Sequence, residues 1–196
     1  ILAPYLAERG RLYVAHFSPD GLMPYMPKVL AMFEERIVRE PEVFARTIVR
    51  HINPPKEVSV APAGTVDLAL TFRNVHNWIM ADQEHEYFGA FFQVLKPGGV
   101  LGIVEHRAKP GADMESMHKT GYVTEAYVKD VALRAGFIFD ASSEINANPR
   151  DSTDHPNGIW SLPPSLRSGD EDKYKAIGES DRMTLRFRRP TDSVTI

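Results

Sequence analysis

The chain contains no cysteine. Disulfide staples, thiolate metal sites and cysteine nucleophiles are therefore excluded, although a lack of thiols does not identify a redox compartment. Long apolar runs are missing too. The longest, such as Val100 to Val104, falls far short of the ~20 residues that cross a bilayer, which argues against a membrane partner. There is no basic excess: 23 Lys+Arg stand against 26 Asp+Glu, a net charge of −3, which disfavours nucleic acid, whose phosphates demand cations. None of the 13 glycines forms a G-x-G. There is also no initiator methionine, and the opening Ile1-Leu2-Ala3-Pro4 reads as the inside of a helix. An upstream segment is expected, so any signal peptide or first strand lies outside view. What is present, 43% hydrophobic and 25% charged residues over 196 positions, suits one globular domain with a substantial core.

Periodicity organises the chain as α/β. Leu2, Tyr5 and Leu6 recur at helical spacing before a stop at Gly10, and Arg11 to Phe17 reads as a buried strand ending at the turn-like Ser18-Pro19-Asp20-Gly21. Pro27 to Arg46 reads as helical, interrupted at Pro41, and Thr47 to Val49 as a short strand. Met23, Met26 and Met32 serve packing. Val66 to Phe72 is a largely apolar strand, and Glu84 to Leu95 places Tyr87, Phe88, Phe91, Phe92 and Leu95 on one helical face. In Lys96-Pro97-Gly98-Gly99, proline presets a negative φ and glycine accepts a positive one, returning the chain into Val100 to Val104. Crossover helices between apolar strands predict a mostly parallel sheet covered on both faces. Thr124 to Ala135 reads as a helix capped by Thr124 and stopped by Gly136, followed by a strand over Phe137 to Ile145. Strict alternation over Arg182 to Arg188 predicts an antiparallel last strand with one wet face. Between these two strands, Asn146 to Ser180 is too long for a turn and is expected to be an insertion or lid, with Ile159 and Trp160 excluding water.

Three segments carry a family resemblance. "VDLALTFRNVHNW" (Val66 to Trp78), "FQVLKPGGVLGIV" (Phe92 to Val104) and "EAYVKDVALRAGF" (Glu125 to Phe137) are similar to a strand and its following loop, a helix end with turn and strand, and a late helix of class I S-adenosylmethionine-dependent methyltransferases. With the ending "SDRMTLRFRRP", the chain resembles a bacterial group of small-molecule methyltransferases. The resemblance implies a Rossmann-like sheet, S-adenosylmethionine as cofactor and a small-molecule acceptor. That family carries a Gly-rich loop just before the stretch matching Ile1 to Leu6. In its absence here, the chain starting at Ile1 is expected to bind cofactor weakly. Cofactor supply favours the cytoplasm, or export if a signal peptide was removed. Oligomeric state stays open. A degenerate scaffold that kept the sheet and lost the cofactor loop is the rival reading; a nicotinamide-dependent oxidoreductase would also need a Gly-rich loop, and nothing else here resembles one.

The resemblance places His16 at a strand end where an acidic residue usually meets the cofactor ribose, with Phe17 beside the adenine; the plain alternative is an ordinary strand-end histidine. Ligands of open α/β sheets bind at the carboxyl ends of the strands. Phe72, Arg73 and Asn74 are therefore candidates for cofactor, with Arg73 suited to a carboxylate. His76 is the first candidate for the base that takes a proton from the acceptor, and His106 the second. Trp78, Glu105, His118, Asn148 and Asp151 are candidates for the acceptor pocket. Their plain readings are core for Trp78, an ion pair with Arg107 or Arg73 for Glu105, and exposed loop for His118. Asp151, Asp154 and His155 could offer oxygen and nitrogen to a metal, but their spacing does not define a site, and no metal is expected.

Overall fold

The architecture is that of a computed structural model describing residues 2–6, 10–17 and 26–191. The turn at Ser18 to Gly21 and the packing of Met23 lie outside the described residues, as do the side chains of Phe17 and Met26. The chain divides into two compact units, residues 1–63 and 64–196.

In the first unit a 3-10 turn at Ala3–Tyr5 stands where a helix end was expected. β1 (Leu12–Phe17) pairs in parallel with β2 (Thr47–Ile52), from Leu12 opposite Thr47 to Phe17 opposite Ile52. β2 therefore runs three residues beyond the expected Val49. Between them lie α1 (Met26–Arg39) and α2 (Pro41–Phe44). The break comes where proline predicts it. Pro41 disfavours helical backbone at the preceding residue, and Glu40 has φ −121° and ψ 56°. Leu30, Phe44, Ile52, Val60 and Ala61 are buried.

The second unit is built on a four-stranded sheet in the order β3-β4-β6-β5. Its strands are β3 (Val66–Phe72), β4 (Leu95–His106), β5 (Ile138–Ser143) and β6 (Arg182–Arg188). β3 and β4 are parallel, and β6 runs antiparallel to both β4 and β5. Three strands thus share one direction, and only the last opposes them. β6 lies between its partners rather than at the edge, yet the alternation still holds: Met183, Leu185 and Phe187 are buried, while Arg186 and Arg188 are exposed.

Leu101 and Ile103 of β4 stand opposite Phe187 and Leu185 on this buried face. On the opposite face Leu68, Leu70 and Phe72 of β3 are 53%, 38% and 50% exposed. Gly98 takes the expected positive φ of +78°. The Lys96 to Gly99 stretch is nevertheless an irregular opening of β4, because Gly98 N–H donates to Arg189 O and Arg189 N–H to Gly99 O.

The helices are α3 (Val75–Met80), α4 (Glu84–Val94), α5 (Met114–Thr120), α6 (Glu125–Arg134) and α7 (Glu171–Ile177). Thr124 caps α6 by accepting from Tyr127 N–H, as its position predicts. α3 and α5 occupy stretches expected to be loops. Asn146 to Ser180 contains a 3-10 turn at Gly158–Ser161 and α7, with Ile159, Leu162 and Tyr174 buried. Among the described residues no helix is long and apolar enough to cross a membrane.

Candidate active site

Parallel pairing of β3 and β4 sets Phe72 opposite Val104, so both strands deliver their next residues to the same end of the sheet. After β3 the backbone turns sharply. Arg73 has φ +56° while its N–H donates to Val104 O at 2.7 Å. Asn74 uses its side-chain amide to donate to Thr71 Oγ1 at 3.1 Å, and its carbonyl accepts from Asn77 and Trp78 at the start of α3. α3 then turns His76 inward. β4 continues two residues past the expected Val104, because its ladder with β6 extends to His106 opposite Arg182. Glu105 and His106 are thus strand residues with buried side chains.

Glu105 is fully buried. A carboxylate so placed is costly unless hydrogen-bonded, and Glu105 has partners for both oxygens. Oε1 accepts from His106 N–H at 2.8 Å and from the His76 ring at Nδ1, 2.9 Å away; Oε2 accepts from His76 N–H at 3.2 Å. Neither Arg73 nor Arg107 is its mate. Arg107 instead pairs with Asp181 and Glu144, each through two nitrogens. His106 lies with its ring centre 5.0 Å from that of His76, edge to face, and its Nδ1 is 2.5 Å from Ser180 Oγ. Burial first, then the repulsion that a protonated His76 and the Arg73 and Arg182 guanidiniums exert on a second cation, push His106 down to about 2, so its ring is neutral near pH 7. Trp160 meets His76 edge to face at 6.3 Å.

The structure thus brings together His76, Glu105 and His106, at the strand ends that also carry Phe72, Arg73 and Asn74. Other candidates go elsewhere. Trp78, expected in the acceptor pocket, is buried among aromatic residues and stacks on Tyr87 at 4.2 Å, so core packing describes it. His118 stands half-buried on α5 rather than in a loop.

Asn148 and Asp151, expected at the acceptor, are committed to holding their own segment. Asn148 donates through Nδ2 to Ile177 O and Glu179 O, and its Oδ1 accepts from Arg150 N–H. Asp151 accepts from Tyr122 Oη, Thr153 N–H, His155 Nε2 and Asp181 N–H. His16 and Phe17 belong to the first unit, where Phe17 closes β1 and the His16 ring stacks on Phe33 at 6.0 Å.

Ser180 was not foreseen. It precedes β6, and the register of β6 on β4 is what carries it to His106; no local sequence pattern marks it. Among the described residues, one group of histidine and acidic side chains converges within metal-ligand reach: His76, Glu105 and His106, with ligand atoms within 4.8 Å of one another. Two imidazoles and a carboxylate form a donor set that divalent metals accept. Here the closest pair stands at the separation of a hydrogen bond, and His106 Nδ1 is engaged by Ser180, so we read the group as a hydrogen-bond network.

No protein-family model and no curated protein matches the sequence. Solved structures do match the fold. The [4+2]-cyclase SpnF aligns at 17% identity and a TM-score of 0.59, over 96% of this chain and 70% of its own. A SAM-dependent methyltransferase from Aquifex aeolicus aligns at 14% identity and 0.57, over 96% and 73%. One from Methanosarcina mazei aligns at 11% and 0.55, over 91% and 81%. The chain has the fold of class I SAM-dependent methyltransferases.

Proposed function

We propose that this protein transfers a methyl group from S-adenosylmethionine to a protonated heteroatom of a small molecule, with His76 as the base. The observation that carries this reading is that fully buried Glu105 holds the His76 ring at Nδ1, 2.9 Å away, together with the backbone N–H groups of both His76 and His106, at the end of the sheet where ligands of open α/β folds bind. The carboxylate only accepts, so the imidazole proton sits on Nδ1 and the lone pair of Nε2 is left for the acceptor. The fold alone does not decide the reaction, since SpnF is a cyclase on the same framework.

The residues at the strand ends suit the cofactor's chemistry. Phe72 offers a half-exposed aromatic face and Arg73 an exposed guanidinium, matching a purine and a carboxylate. When bound, S-adenosylmethionine supplies an electrophilic methyl on a sulfonium sulfur, and that C–S bond breaks as the acceptor's bond to the methyl forms. His76 takes the proton the acceptor loses, and Glu105 holds the resulting imidazolium. Trp160, carried in by the Asn146 to Ser180 segment, shields His76 from water on one side. Positioning and one proton transfer then supply most of the catalysis.

Two measurements test the proposal. Calorimetric titration with S-adenosylhomocysteine should give saturable heat. Release of S-adenosylhomocysteine from S-adenosylmethionine should be stimulated by some member of a panel of small alcohols, phenols, amines and thiols, and fall about 10²- to 10⁴-fold in His76→Ala with cofactor affinity nearly unchanged. Saturable binding with no stimulated turnover would favour a non-catalytic role. Full activity in His76→Ala would remove the base.

A further inference from the structure

We propose that His76 and His106 form a matched proton acceptor and proton donor that select methyl acceptors bearing a hydroxyl group, with Ser180 as the residue that sets the donor side. This rests on the reading that His76 faces the acceptor.

Each neutral imidazole has one N–H and one lone pair, and the bond made by one nitrogen decides what the other presents. His76 is fixed by Glu105 as argued above, leaving a lone pair on Nε2. For His106, Nδ1 is 2.5 Å from Ser180 Oγ, a hydroxyl able to donate or accept, while Nε2 lies 4.0 Å from Glu105 Oε1. A lone pair on Nε2 would lie near the negative charge of a buried carboxylate, like beside like. A proton there is attracted to it instead. His106 therefore carries its hydrogen on Nε2, and Ser180 must donate to Nδ1.

Both Nε2 atoms remain available. His76 and His106 keep 5% and 8% exposure, and neither Nε2 is among the buried side-chain atoms without a partner. With the ring centres 5.0 Å apart and one ligand atom of each within 4.8 Å of the other, one lone pair and one N–H are offered within the span of a single small acceptor. A hydroxyl both donates and accepts, so it satisfies the two together. An ether or tertiary amine cannot donate to His76, and an ammonium group cannot accept from His106. The aromatic edge of Trp160 beside His76 suits a hydroxyl carried on an apolar body.

The test needs neither cofactor nor turnover, so its failure is separable from failure of the methyl-transfer reading. In protein labelled with ¹⁵N-histidine at neutral pH, two-bond ¹H–¹⁵N spectra should show His106 protonated on Nε2 and His76 on Nδ1. Ser180→Ala should turn His106 into a mixture of tautomers, and Ser180→Thr, which keeps the hydroxyl, should restore the single form. Phenol should move both Nε2 resonances and bind about five- to tenfold more tightly than anisole, the worth of about one hydrogen bond. That preference should shrink in Ser180→Ala.

A His106 proton on Nδ1 in the unaltered protein would overturn the proposal even if the serine variants fail to fold. Equal binding of phenol and anisole would do the same. So would stoichiometric capture of added Zn²⁺ by both imidazoles.

Discussion

Replacing Asp151 with Asn should loosen the second unit, and the structure says by how much. The side chain is fully buried, and its Oδ1 accepts from Thr153 N–H at 2.8 Å, His155 Nε2 at 2.8 Å and Tyr122 Oη at 3.0 Å. Its Oδ2 accepts from Asp181 N–H at 2.7 Å and Tyr122 Oη at 2.8 Å. Asparagine has nearly the same shape but replaces one acceptor by an NH₂ group. The tyrosine hydroxyl can swing to the remaining oxygen, and His155 can change tautomer. A backbone N–H has no such freedom. Whichever way the amide lies, it confronts Thr153 N–H or Asp181 N–H with another donor.

An orphaned buried donor costs about 1–3 kcal/mol, and the surviving bonds lose their charge assistance, so the expected loss is about 2–4 kcal/mol. Urea unfolding followed by tryptophan fluorescence reads this unit alone, because the chain's two tryptophans, Trp78 and Trp160, both lie within residues 64–196. Hydrogen exchange at the Thr153 and Asp181 amides gives an independent reading, and one of them should lose protection. A loss below ~1 kcal/mol with both amides still protected would refute the reasoning.

Gly158→Ala should cost about 2–3 kcal/mol and shift the emission of Trp160, because Gly158 has φ +52° and an added Cβ would stand 2.0 Å from Thr120 O; an unchanged urea midpoint would mean the 3-10 turn is free to move. His106→Asn should flatten the acid dependence of stability. The native state leaves His106 unprotonated down to about pH 2, while the unfolded chain protonates it near its ordinary value of 6.5. Stability is therefore fully present above that value and falls as pH drops below it, by up to about 1.4 kcal/mol per pH unit for one proton. Urea midpoints between pH 7 and 5 should show the variant losing less than the parent, and parallel slopes would contradict a buried neutral His106.

Legibility in the sequence follows the range of the forces involved. β3 begins and ends where its apolar run does, the helix breaks at Pro41, and Thr124 caps α6, because each is decided by neighbouring residues. α3 is different. Val-His-Asn-Trp has poor intrinsic helicity, and its helix is held by burial of Val75, Trp78 and Ile79, which no local pattern announces. α7 hides for a related reason: it is short, and Tyr174 alone among its residues is buried. At the site, placing His76, Glu105 and His106 at strand ends needed only the periodicity of β3 and β4. Finding Glu105's partner needed their register. Charge alone suggests an arginine, whereas parallel pairing brings up α3 with its histidine, and antiparallel pairing with β6 brings Ser180.

Among the described residues, the second unit contains two buried carboxylates hydrogen-bonded to histidines, Glu105 with His76 and Asp151 with His155. Burial and a histidine partner therefore cannot by themselves mark a catalytic base. What separates the two is what else each carboxylate holds. Asp151 gathers Thr153 N–H, Asp181 N–H and Tyr122 Oη from separate stretches of chain, which ties the long connection to the body of the unit. Glu105 gathers the backbone N–H groups of His76 and His106 together with one of their rings. One acidic side chain thus anchors two histidines that come from different elements, at the end of the sheet where ligands of open α/β folds bind. In the proposed reading, a base and a donor that meet one small acceptor together need their histidines held this way, whereas Asp151 holds a single histidine, His155, by its ring.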